Sequence, residues 1–302
     1  MRFRPLAHQS MALSAISLRL DDQFQRSAAG WASLVLAALD CGINCFEISG
    51  RSPALVDGVG QALATVDRRL IYLIWRFGPG SMPAQYANSA YSPSGMEGLA
   101  KAVIARTGLD YLDLIQLDDP GGQDLSAQGL QTLKQMKAEG VVHALGVAGC
   151  GEEIDAYIST GAFDVLTTPF NMLSGSRERR RMKFAADRNM SVVGYAFYPE
   201  AMLAVTKASK PKRGLLSWSG SKGPALAPQP YAFLHATSGW TAEEICLAYA
   251  LTEPSLASVQ IEPEDIVHMQ TLAEVAEREL PAGLPAQIEM SRFSGGNKAQ
   301  SA

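Results

Sequence analysis

Arg106–Pro120 reads RTGLDYLDLIQLDDP, and this stretch decides the fold. Its first residues end a helix that opens at Ser92, where serine followed by Pro93 makes a good N-cap and first turn, and Gly108 supplies the stop. The apolar run Leu112 to Asp118 comes next. It is short, strand-like, and finishes in a carboxylate.

Outward from it the same unit recurs. Further short apolar runs stand at Ala15 to Leu18, Ile43 to Glu47, Leu70 to Arg76, Val141 to Val147, Phe163 to Thr168, Ser191 to Phe197 and Ala257 to Ile261. Amphipathic stretches separate them, among them Ser126 to Glu139, which carries Leu130, Leu133, Met136 and Lys137 and stops at Gly140. Strands alternating with helices form a parallel sheet with helical crossovers. Eight of them predict a (β/α)8 barrel whose functional residues gather at the C-terminal ends of the strands. Glu47, Arg76, Asp118 and Ala148 all fall on that rim.

A chain of 302 residues, 47% hydrophobic and 19% charged, suits a single barrel domain over residues 1–293. The remaining SGGNKAQSA, residues 294–302, reads as a disordered tail. Two long irregular segments, Gly78 to Tyr91 and about Pro199 to Trp240, have the length of lids or binding loops. A net charge of -4 gives no reason to expect nucleic acid or an anionic membrane as partner. The run Arg177, Arg179, Arg180, Arg181 and Lys183 is interrupted by Glu178 and reads as a solvated helix face. Charges at Arg19, Asp21 and Asp22 break the N-terminal apolar stretch, so neither a signal peptide nor a membrane span is expected. Cys41, Cys45, Cys150 and Cys246 lack CxxC spacing and read as reduced, mostly buried thiols of a cytoplasmic protein. His8, His143, His235 and His268 fall away from the rim, and no metal-ligand spacing occurs.

Several segments together resemble the aldo-keto reductases over nearly the whole chain. MRFRPLAHQSMALSAISLRL is similar to that family's N-terminal hairpin and first strand, and ALDCGINCFEISGRS to its second-strand segment. LKQMKAEGVVHALGVAG and FDVLTTPFNML resemble its fifth and sixth strands, and ICLAYALTEPSLASVQI its last helix and eighth strand. In that family an Asp, a Tyr, a Lys and a His act while hydride arrives from a nicotinamide. The resemblance places Glu47, Ser52, Arg76 and Asp118 at those four positions, with Arg51 as a second occupant of the tyrosine's place. An aliphatic hydroxyl is a far poorer acid than a phenol of pKa about 10, and a guanidinium does not relay protons near neutral pH.

The resemblance also implies degraded cofactor contacts. Ala148 and Gly149 stand where the family holds the carboxamide, Thr167 or Thr168 replaces a glutamine, and Glu262, Glu264 and Asp265 stand where it offers basic and small residues to phosphates. Those acids would repel an anion. Tyr195 or Phe197 remains as a stacking surface, and Lys207, Lys210, Lys212 and Arg213 as phosphate contacts.

Three functions follow as expectations. The first is cofactor-free acid/base chemistry (elimination, isomerisation or cyclisation) on a small polar molecule, with Asp118 and Glu47 as acid and base and Arg76 clamping a carboxylate or enolate. Two anions beside one cation would raise one carboxylate's pKa toward neutrality. The second is an NAD(P)H-dependent oxidoreductase drawing its proton from Tyr86 or Tyr91; the acidic Asp118 has a parallel in family members that reduce carbon-carbon double bonds. The third is a non-catalytic binding or regulatory barrel, in which the rim charges form a structural salt bridge.

Overall fold

The computed structural model describes residues 1–6, 12–50, 52–79, 90–199 and 231–299. Strands β1 (Phe3–Pro5) and β2 (Ala12–Ser14) pair antiparallel as a hairpin. Strands β3 (Ile16–Leu20), β4 (Cys45–Ile48), β5 (Tyr72–Phe77), β6 (Leu112–Asp118), β7 (Val142–Ala148), β8 (Val165–Pro169), β9 (Ser191–Tyr195) and β10 (Leu256–Ile261) close into a parallel barrel, with β10 between β9 and β3. Nine helices are present among the described residues: α1 (Ala28–Asp40), α2 (Pro53–Leu63), α3 (Pro93–Thr107), α4 (Ala127–Ala138), α5 (Glu152–Ser159), α6 (Ser176–Ala186), α7 (Ala242–Leu251), α8 (Ile266–Glu274) and α9 (Leu284–Ala299). The barrel and hairpin expected from the sequence are therefore present.

The boundaries have local causes. Ser92 and Ser126 cap α3 and α4, their hydroxyls accepting from Gly95 N and Gly129 N. Gly108 and Gly140 follow these helices with φ of 72° and 75°, a left-handed conformation that is costly for side chains bearing a Cβ.

Alternation along each strand splits the core in two. Residues such as Ile16, Trp75, Ile115 and Leu166 face outward into the layer between sheet and helices. Tyr72, Ile74, Leu114, Val165 and Val193 face inward, where Leu6 and Leu13 of the hairpin segment plug the bottom of the barrel. Arg4 fastens this plug by donating to the carbonyls of Leu251, Glu253 and Leu256. Burial lowers the Arg4 pKa from its ordinary value, so three carbonyl acceptors are what its cation needs.

Four readings of the sequence change here. Helix α9 runs to Ala299, six residues into the stretch read as a disordered tail; Leu284 and Ile288, both buried, anchor its start. Strand β3 extends to Leu20, past the expected end at Leu18, and carries Arg19 into the interior. The basic run lies on α6, but Arg181 is buried, binding Asp155 and the carbonyls of Cys150 and Gly151, while Arg177, Arg179 and Lys183 pair with Glu152, Glu253 and Asp187. Of the four thiols, Cys45 and Cys246 are buried, Cys41 is half-buried and Cys150 is exposed. No described helix is long and apolar enough to cross a membrane.

Candidate active site

Above the apolar plug the barrel interior turns polar. Glu47 projects inward from β4 and is fully buried. Its Oε2 accepts from Gln116 Nε2 at 2.7 Å and Gln260 Nε2 at 2.9 Å, and its Oε1 from Arg76 Nη1 at 3.0 Å. Gln116 Oε1 in turn accepts from Thr167 Oγ1 at 2.6 Å. Inward positions two residues apart on β6 place Leu114 in the plug, Gln116 in this layer and Asp118 at the mouth.

Arg76 links the layer to the mouth. While Nη1 holds Glu47, Nη2 meets Asp118 Oδ1 at 2.6 Å. Burial alone would lower the Arg76 pKa, but Glu47 and Asp118 outweigh it and hold the guanidinium above its ordinary value. Arg76 is therefore a fixed cation. The structure thus brings together three of the four expected site residues, Glu47, Arg76 and Asp118.

Sequence reasoning missed the second cation. Arg19 Nε lies 3.5 Å from Glu47 Oε1 and donates to Ser49 Oγ at 2.9 Å, Nη1 donates to Glu262 Oε1 at 2.9 Å, and Nη2 to Asp21 Oδ2 at 3.0 Å. Arg19 and Arg76 both flank Glu47, but Arg19 is shared with Asp21 and Glu262, so carboxylates still outnumber guanidinium groups here. The charges form a chain across the barrel, Asp118 to Arg76 to Glu47 to Arg19 to Glu262.

The fourth expected residue does not join them. Ser52 is the N-cap of α2: its hydroxyl accepts from Leu55 N at 3.1 Å, Pro53 follows, and its own N–H donates to Asp22 Oδ2 at 2.9 Å. Ser52→Ala is expected to cost about 1 kcal/mol of stability and to leave any activity of the mouth unchanged, which a urea titration beside an activity assay measures.

Tyr195 extends into the mouth from the end of β9, two residues beyond inward-facing Val193. Burial pushes its phenol up to about 12, Cys150 and Asp119 act in the same direction, and Arg76 and Arg19 oppose them. Phe197, by contrast, is buried in the outer core and offers no stacking face at the mouth. Tyr91 is also in that core, with its hydroxyl donating to the Asp118 carbonyl and its pKa raised chiefly by burial. Its hydroxyl proton, suggested by the sequence as a donor, is engaged with that carbonyl. Tyr86, Arg51, His8, Lys207, Lys210, Lys212 and Arg213 lie outside the described residues. His143 stacks on Tyr111, His268 contacts Glu243 and His235 lies in a 3-10 turn, none of them in the charge chain. Among the described residues no cluster suited to a metal ion occurs.

Backbone strain sits at the same rim. Asp119 and Ala196, the residues following Asp118 and Tyr195, have φ of 44° and 52°, a region that non-glycine residues enter at a cost and that gathers at functional sites. Gly149 has φ of 145°, and a Cβ there would lie 2.2 Å from Asp119 Oδ1. Glycine is what lets Asp119 fold over β7.

A closed barrel of eight parallel strands, plugged at the bottom and polar at the C-terminal mouth, is the β/α-barrel architecture in which enzymes place their sites. The model of the aldo/keto reductase family matches residues 21–290, and the chain belongs to that family. Among solved structures it is similar to aldo-keto reductase AKR11C1 from Bacillus halodurans, with 18% identity and 96% of each chain covered, at a TM-score of 0.74 for the holo form and 0.72 for the apo form. No curated protein sequence matches the chain.

Proposed function

We propose that this family member performs acid/base chemistry, such as an elimination, isomerisation or cyclisation, on a small polar organic molecule at the barrel mouth, without a nicotinamide. Asp118 is the group that exchanges a proton. The observation that carries this reading is that Asp118 is the one carboxylate of the Glu47–Arg76–Asp118 chain that reaches the mouth, its side chain 22% exposed against 0% for Glu47.

The other two roles change. A carboxylate has about four acceptor sites, and Glu47 already takes three hydrogen bonds with Arg19 alongside. It serves as an anchor rather than as a second acid or base. Both terminal nitrogens of Arg76 are likewise engaged, so Arg76 orients Asp118 instead of clamping a substrate carboxylate. Asp21, Asp118, Asp119 and Glu262 outnumber Arg19 and Arg76 around the mouth, which favours a neutral or cationic molecule over an anion.

Family membership favours a second reading, an NAD(P)H-dependent oxidoreductase, whose cofactor would meet the following residues. Ala148 is buried and offers no polar group, and Thr167 spends its hydroxyl on Gln116. Asp265 caps α8, its carboxylate accepting from His268 N at 2.8 Å, and Glu262 is bound to Arg19 and Gln23. A helix N-terminus that would attract phosphate already holds a carboxylate. These residues do not fit a dinucleotide's anionic groups.

The test is incorporation of deuterium from heavy water into a panel of small polar amines, alcohols and hydroxy ketones, followed by NMR with no nicotinamide added. Asp118→Asn is expected to slow exchange about 10²- to 10⁴-fold, the range for loss of a positioned acid or base. Exchange unaffected by Asp118→Asn, or absent in the unaltered protein, would refute the assignment.

A further inference from the structure

The mouth holds one group that the acid/base reading has not used. Tyr195 lies on β9, three strands round the barrel from Asp118 on β6, and its position is set by backbone rather than by chance packing. Phe170 N donates to its carbonyl at 2.9 Å, and the next residue, Ala196, is held at φ of 52° with its carbonyl accepting from Asn171 Nδ2 at 3.0 Å. Alternation with Val193 directs the ring into the barrel, and the residue is half-buried. Among the described residues its hydroxyl makes no hydrogen bond, unlike those of Tyr91, Tyr157 and Tyr249. The charged and titratable groups that act on it electrostatically are Cys150 after β7, Arg76 from β5, Asp119 after β6 and Arg19 from β3.

A proton removed from carbon leaves an electron pair that must settle on an electronegative atom, and a donor placed there lowers the barrier. We propose that Tyr195 is that donor: with the substrate between the two residues, Asp118 takes a proton from carbon while the Tyr195 hydroxyl gives its proton to the oxygen on which negative charge develops. The C–H pair becomes the new double bond or the departing pair, the oxygen gains the phenolic proton, and the phenolate left beside two guanidinium groups recovers a proton from water. Arg19 and Arg76 favour that phenolate and offset part of the burial that disfavours it. This assignment rests on the reading of Asp118 as the proton acceptor.

Two benzisoxazoles test it, because their ring opening needs only a base at carbon and a place for charge on the leaving oxygen. Nitrobenzisoxazole leaves as a stabilised phenoxide; unsubstituted benzisoxazole has far greater need of a donor. In the full-length protein Tyr195→Phe is expected to lower kcat about tenfold or more for the unsubstituted compound and less than about threefold for the nitro compound, with KM unchanged. A merely structural role would slow both equally. Separately, the ring carbon bearing the Tyr195 hydroxyl, labelled with carbon-13 and assigned by its loss in Tyr195→Phe, should titrate at higher pH in Arg19→Gln. Equal losses for the two compounds, no turnover of either, or an unmoved titration would overturn the assignment. Full activity in Tyr195→Phe beside an inactive Asp118→Asn would overturn Tyr195 alone, whereas no turnover together with no deuterium exchange would remove both readings.

Discussion

Arg76→Met is expected to destabilise the protein by about 3–5 kcal/mol, because removing one partner of a buried ion pair leaves the other charge uncompensated in a poorly solvated place. Glu47 would keep only two amide hydrogen bonds and the flank of Arg19 at 3.5 Å. Asp118 would lose its guanidinium and swing free. The size of the loss separates two accounts of the charge chain. If it were a surface salt bridge its removal would cost about 0–1 kcal/mol. Urea unfolding at fixed m value reads the difference directly. Replacing the pair together, as Glu47→Gln with Arg76→Met, should recover a large part of the loss, since it removes the orphaned charge itself. A single-variant loss under about 1 kcal/mol would mean that Glu47 is not dependent on Arg76, and the anchor role assigned to it would fall.

What the sequence disclosed and what it hid have the same physical origin. Helix caps act locally, so Ser92–Pro93 and Gly108 could be read directly, and the apolar runs between such signals located all eight barrel strands. Ser52–Pro53 carries the same cap signal as Ser92–Pro93. That signal competes with the resemblance to a catalytic position, and Ser52 does cap α2. Arg19 was hidden because an arginine after Ile16–Leu18 looks like the end of a strand, whereas the barrel continues and gives the cation three acidic neighbours from separate segments. Gln116 and Gln260 had a signal that went unread: each is a polar residue inside an apolar run, in phase with the inward-facing positions. Which groups meet across the barrel depends on closure and register, long-range properties that no window of sequence contains.

The calorimetric outcome for the nicotinamide is expected to be negative: neither NADPH nor NADH should bind with a dissociation constant below about 1 mM, an affinity no better than about -4 kcal/mol. The reason lies on the loop after β10. Asp265 occupies the N-terminus of α8 and Glu262 is held close by Arg19, so a pyrophosphate or ribose phosphate approaching there meets carboxylates instead of bare N–H groups. Because that repulsion is partly solvent-screened, raising salt should not by itself create binding, only soften the opposition. Asp265→Ser separates charge from capping, since serine keeps the hydrogen bond to the helix while removing the anion. If this variant, alone or with Glu264→Gln, binds NADPH where the unaltered chain does not, the acids are the barrier and the remaining mouth still accepts the cofactor. If it stays silent, the loss is spread over Ala148, Thr167 and the mouth itself. Micromolar binding by the unaltered chain would overturn the cofactor-free reading and direct attention to Lys207, Lys210, Lys212 and Arg213 as the groups that neutralise the phosphates. Tyr195 would then have to be tested as a face for the nicotinamide ring rather than as a proton donor.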